Sequence, residues 1–240
     1  MSSYGLLLRW QLLRLRIVLP LIVIVQTALA VSVVLGFVFL APTVDRQVAL
    51  YLATGAPTLG LLVVGLATAP QLVSQAKLQG SLDYLRALPV PRLAYLFADL
   101  TVWFVTALPG LAAALLVAAL RFDLDYRISL LVVPAVVLTA VTATALGYGL
   151  AYALSPSATA VTTQLLVLVV LLFSPITYPA GRLPAWLSAV HDVLPFRAMG
   201  DIVRGALTGD GSGTASAYLL VALWCAVGLV TTYTVMLRRD

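Results

Sequence analysis

Six apolar stretches dominate this chain and leave it little choice of fold. They lie at about residues 17–40, 48–74, 95–120, 128–154, 160–173 and 217–237. A bilayer core is crossed by roughly 20 helical residues, so each stretch is expected to be a membrane span. The composition agrees, with 62% hydrophobic and only 10% charged residues and a mean hydropathy of +1.07. Soluble domains carry about 25% charged residues. The expected fold is an all-α integral membrane protein with six transmembrane helices in a single domain, residues 1–240, with no room for another folded unit.

The segments between the spans differ in kind. Residues 2–16 mix Tyr4, Leu6, Trp10 and Leu13 with Arg9, Arg14 and Arg16, the pattern of a helix lying in the membrane interface and retained in the protein. Span 2 contains Gly55, Pro57, Gly60 and Gly65 and is expected to be kinked and closely approached by a neighbour. After span 5, Ser174-Pro175-Ile176-Thr177-Tyr178-Pro179 breaks the apolar run. Two short helices headed by Pro184 and Pro195 follow, too short and polar to span. In the second, Arg197, Asp201 and Arg204 are spaced to pair, opposite an apolar face of Met199, Ile202, Val203 and Ala206.

One long polar interruption, residues 75–93, separates spans 2 and 3. Leu78, Leu82, Leu85 and Leu88 recur at helical intervals, with Lys77, Gln79, Asp83 and Arg86 on the other side. Ser81 is a suitable cap, Asp83 suits the first turn, and Pro89 and Pro91 end the helix. With the N-terminus inside, Arg9, Arg14, Arg16, Lys77, Arg86, Arg92, Arg238 and Arg239 are cytosolic, while short outer loops hold only Arg46, Arg121 and Arg127. That bias places both termini in the cytosol. The short helices with Arg182, Arg197 and Arg204 are then external.

The run Gly80-Ser81-Leu82-Asp83-Tyr84-Leu85 followed by Leu88-Pro89-Val90-Pro91-Arg92 resembles the segment between the second and third spans of type-2 ABC exporter permeases. Phe173-Ser174-Pro175, Leu183-Pro184-Ala185-Trp186-Leu187 and Leu194-Pro195-Phe196 through Arg204 resemble the region before the last span of the same family. The resemblance implies that Gly80, Ser81, Leu82, Asp83, Tyr84, Leu85, Arg86, Leu88 and Arg92 form a cytosolic coupling helix contacted by an ATPase. It implies that Pro175, Trp186, Arg197, Asp201 and Arg204 belong to an external hairpin capping the path. It further implies partnership with two ATPase subunits and a second permease protomer, identical or a paralogue, in the cell membrane. The substrate path would run between spans 2 and 5 of two protomers, with Gln71 and Gln164 as its candidates.

Candidate chemistry is sparse. Lys77 is the only lysine and follows no glycine-rich loop, so the chain carries no GxxxxGK[ST] motif. ATP and its magnesium are therefore expected on a partner ATPase, with no cofactor, metal or catalytic residue on this chain. Asp99, one turn into span 3, is read as an interfacial acid, with Arg92 as its partner. His191 has no second His or Cys to join it in a metal site, and Cys225 lies within a span as a packing residue. The expected function is export of a hydrophobic or amphipathic compound such as a drug or lipid-linked product. The alternatives are a secondary transporter, which would show midplane charges and repeat symmetry, and a membrane lipid enzyme, which would need clustered acids or histidines. The chain has no Glu and one His.

Overall fold

A computed structural model describes residues 3–40, 45–80, 91–122, 126–209 and 215–238. Helix α1 (Ser3–Leu15) packs against α5 (Arg92–Phe122), and α2 (Val18–Leu40) forms span 1. Span 2 consists of α3 (Arg46–Val63), a π turn (Val64–Thr68) and α4 (Ala69–Leu78). Spans 3, 4 and 5 are α5, α6 (Val132–Ala153) and α7 (Pro156–Phe173). A 3-10 turn (Ala180–Arg182), α8 (Ala185–Val193) and α9 (Pro195–Thr208) precede span 6, α10 (Ala215–Arg238).

Six stretches among the described residues are long and apolar enough to cross a membrane: Val18–Gly36, Arg46–Leu78, Leu93–Phe122, Val132–Ala153, Pro156–Phe173 and Ala215–Met236. Several boundaries move from the sequence expectation. Span 5 begins at Pro156 because Ser155 caps it, its Oγ accepting from the Ala158 amide at 3.4 Å. Span 2 runs to Leu78, so Leu78 closes that span instead of opening the amphipathic segment. Gly80 then stops it with φ of 68°, its amide donating to the Lys77 carbonyl.

The break in span 2 has a local cause. Pro57 sits inside α3 without interrupting it, whereas the π turn ends just before Pro70. In α geometry the Pro70 ring would collide with the Leu66 carbonyl four residues earlier. Widening the turn relieves this, and the Ala69 amide reaches back five residues to the Val64 carbonyl.

Span 2 and α6 form the centre of the bundle. Their apolar windows are 72% and 61% buried, against 17% for α2 and α7 and 22% for α10. The π turn meets α6 backbone to backbone: a Cβ on Gly65 would lie 2.6 Å from both Ala143 Cβ and the Thr144 nitrogen, and one on Gly147 would overlap the Gly65 carbonyl. At the other end, a Cβ on Gly55 would lie 2.5 Å from the Ile176 carbonyl oxygen. Gly60, by contrast, has only Ala30 Cβ near it, at 3.8 Å. The apolar face of α9, with Met199, Ile202, Val203, Ala206 and Leu207, packs into one core with Leu59, Leu62, Leu66 and Ile176.

Candidate transport site

A groove of about 430 Å³ opens between the end of span 2 and the start of span 5, lined by Gln71, Ser74, Gln75 and Leu78 of α4 and by Pro156, Ser157 and Ala160 of α7. The residues that face each other are small or amidic, and none of the described lining residues is charged. Gln71 Nε2 donates to Thr163 Oγ1 at 3.5 Å, a long bond that ties the two spans. Thr163 itself donates to the Thr159 carbonyl at 2.8 Å and is buried. Ser74 is 4% exposed, and its hydroxyl has no hydrogen-bond partner among the described residues. Such a group is held ready for a ligand, a water or another chain.

The two glutamines expected to line a path therefore part company. Gln71 faces the groove, whereas Gln164 lies on the outer surface of α7, exposed among Leu165, Leu168 and Val169. A primary amide standing on an apolar face within a bilayer needs a polar partner. Ser74 was not distinguished by the sequence, because its role depends on which side of α4 meets α7.

At the same end of the bundle, Lys77 is engaged rather than displayed. Its Nζ donates to the Ala151 carbonyl, and to those of Tyr152 and Leu154 at 3.3 Å each. A cation here satisfies the last carbonyls of α6 and sits at the negative end of its dipole. Gly80 marks the end of span 2, and Arg92 occupies the first position of α5. Ser81, Leu82, Asp83, Tyr84, Leu85, Arg86 and Leu88 lie outside the described residues.

The far end is closed by the hairpin of α8 and α9, and its polar residues are more deeply set than their spacing suggests. Within the row of Arg197, Asp201 and Arg204, Arg204 is 3% exposed. Its guanidinium donates to Asp201 Oδ1 at 2.7 Å, to the Ile176 carbonyl at 2.6 Å and to Thr54 Oγ1 at 3.2 Å. It also stacks 3.8 Å from the centre of the Tyr51 ring. One side chain thus joins α9, the proline break and span 2. Arg197 stays near the surface, paired with Asp192 and, at 3.7 Å, with Asp201.

Pro175 lies in the turn that Arg204 holds, and Trp186 is 69% exposed on α8. His191 is buried, its Nδ1 2.8 Å from the Leu187 carbonyl and its Nε2 3.1 Å from Ser174 Oγ. A carbonyl only accepts, so Nδ1 carries the proton and a neutral ring accepts from Ser174 at Nε2. This histidine pins α8 to the end of span 5. Sequence reasoning missed Tyr51 and Thr54, which stand about 150 residues from Arg204 with no local signal linking them.

The family profile of ABC-2 type transporters matches residues 4–208, from α1 to the end of α9. The chain belongs to that family. It is a transport permease and a multi-pass membrane protein. No curated protein matches the chain. Within the ABC-2 permease, Asp99 is buried in span 3 and accepts a hydrogen bond from Tyr148 of span 4. Among the described residues, Arg14 of α1 stands close enough for its charge to act on Asp99. The expected Arg92 partner falls outside what is described, since the Arg92 side chain is not among the described ones.

Proposed function

We propose that this permease is the membrane half of an ATP-driven exporter for a hydrophobic or amphipathic compound. It works with two ATPase subunits and a second permease protomer in the cell membrane, with its termini and residues 79–91 in the cytosol. One observation carries the reading: span 2 runs past the groove and is tied to the hairpin. It leads at one end into residues 79–91, borders the groove through Gln71 and Ser74, and at the other end is tied to the hairpin through Gly55, Thr54 and Tyr51. A push on the segment Gly80 to Leu88 would be delivered along this helix. The π turn and its tight seat on α6 are the place where it bends. ATP and magnesium stay on the partner.

The groove supports a passenger with an uncharged hydrogen-bonding part, and the exposed amide of Gln164 supports a second protomer beside α7. The test is at the coupling segment. Leu82→Ser combined with Leu85→Ser removes apolar contact worth roughly 1.5–3 kcal/mol for each fully buried side chain. The variant should insert normally and lose ATPase in pull-down, together with substrate-stimulated ATP hydrolysis. Undiminished binding and hydrolysis would remove the coupling segment from this reading.

Orientation has its own measurement. Lys77 is unsuited to labelling because it closes the end of α6, while Leu78 beside it is 75% exposed. Leu78→Cys, in a background with Cys225→Ser, should resist an impermeant thiol reagent in intact cells and react after lysis. Labelling in intact cells would reverse the assigned topology.

A further inference from the structure

Uncharged hydrogen-bonding groups line both walls of the groove between spans 2 and 5. Gln71, Ser74 and Gln75 stand three and four residues apart and so share one face of α4, while Ser157 opposes them from the first turn of α7. Leu78 and Pro156 give an apolar margin where α4 ends and α7 begins. A single water needs roughly 10–15 Å³ of such space, so about 430 Å³ admits a headgroup of many heavy atoms.

Two features narrow the chemistry of that headgroup. Ser74 is 4% exposed, and its hydroxyl has no hydrogen-bond partner among the described residues. Buried hydroxyls elsewhere in the bundle bond back to the carbonyl four residues earlier, as Thr58, Thr144 and Thr163 do at 2.8–2.9 Å. Ser74 makes no such bond, and a buried hydroxyl is almost always paired, so it calls for a group from outside the chain. The second feature is charge. Lys77, one turn along α4, is turned to the last carbonyls of α6, and none of the described lining residues is charged. A phosphate, carboxylate or ammonium entering the groove would lose water without gaining a counter-ion.

We propose, resting on the transport reading above, that the groove receives the sugar of an uncharged glycosylated amphiphile. Its hydroxyls meet Ser74, Gln71 and Gln75, and its apolar body lies against Leu78 and Pro156. Serine hydroxyls and primary amides both donate and accept, so their best complement does the same. Sugar hydroxyls do, whereas an ester or ether oxygen only accepts and an ammonium only donates. Neighbouring hydroxyls on one ring also suit a primary amide, which meets one with its carbonyl and the next with its amino group. The long 3.5 Å bond from Gln71 Nε2 to Thr163 is readily exchanged for such a contact.

The experiment uses the full chain in an amine-oxide detergent, since a glycosidic detergent would itself compete for the groove, with bound ligand counted by native mass spectrometry. Dihexanoyl glucosylglycerol should bind saturably at one site. Dihexanoylglycerol, which lacks the sugar, and dihexanoyl phosphatidylglycerol, which carries a charge, should each bind at least about tenfold more weakly. Methyl glucoside, which has the sugar without the chains, should also bind at least about tenfold more weakly. Ser74→Ala and Gln75→Leu should each weaken the glycolipid by about three- to tenfold and leave dihexanoylglycerol unchanged. Equal binding of the three lipids overturns the proposal, and so does unchanged glycolipid affinity in both variants. Methyl glucoside binding as tightly as the glycolipid would overturn the amphiphile in favour of a soluble glycoside. Should Gln75→Leu fail to fold, Ser74→Ala and the selectivity of the unaltered protein still decide. Binding is read on the permease without an ATPase, so a loss of selectivity removes the sugar assignment alone, while the Leu82 and Leu85 variant separately tests the transport reading.

Discussion

Gly147→Ala is expected to destabilise the permease by about 1–3 kcal/mol or more, because the added methyl would occupy the space of the Gly65 carbonyl oxygen. The obstacle is backbone on a buried π turn and not the end of a flexible side chain, so α6 and span 2 must separate to admit it. Gly36→Ala is the matching control, since no atom lies within 4 Å of where its Cβ would stand. Alanine is the better helix former by about 1 kcal/mol, so that change should be neutral or mildly stabilising. Thermal unfolding of both variants in detergent, followed by loss of monodisperse protein, checks the pair. Equal melting of Gly147→Ala and the unaltered protein would mean that this contact is not as close as described.

Arg204→Leu is expected to cost about 3 kcal/mol or more, since it removes a charged hydrogen bond and leaves a buried carbonyl unsatisfied. The change orphans the Ile176 carbonyl and takes one of two arginine partners from Asp201. Asp201→Ala should cost less, about 1.5–3 kcal/mol for a charged hydrogen bond, because Arg204 keeps its carbonyl, its hydroxyl and the Tyr51 ring. Arg204→Lys retains charge but replaces a planar fork with a point charge, and should fall between these two. Melting temperature gives the order. Limited proteolysis across residues 174–182 shows whether the hairpin has come away from span 2, which should happen first in Arg204→Leu. An order in which Asp201→Ala is the most damaging would place the anchor on the carboxylate and not on the guanidinium.

These two contacts also show where sequence reasoning reached its limit. Four residues of span 2 drew attention as agents of a kink. Gly55 and Gly65 are closely approached, but Gly60 is not, and Pro57 leaves its helix intact. The actual distortion belongs to Pro70, which sits among polar residues at the end of the apolar stretch. The periodicity put Leu78 into the next helix, yet helix α4 continues through Leu78 until Gly80, with its positive φ, stops it. The spacing of Arg197, Asp201 and Arg204 named the ion pairs correctly, while the burial of Arg204 comes from contacts with other helices.

A six-span helical membrane protein, the positions of its spans to within a few residues and the break of the apolar run at residues 174–179 are all legible in the order of the amino acids. Those properties rest on local physics: hydrocarbon thickness sets span length, and proline removes an amide wherever it stands. That Gln71 lines a groove while Gln164 faces outward, that Arg14 stands near Asp99, and that Arg204 is buried on Tyr51 and Thr54 follow from how the helices pack. Each of these depends on the rotation of one helix about its axis relative to another. That rotation is set by which backbones can approach closely, as at Gly65 with Gly147 and at Gly55 with Ile176. A spacing within one segment carries no record of it.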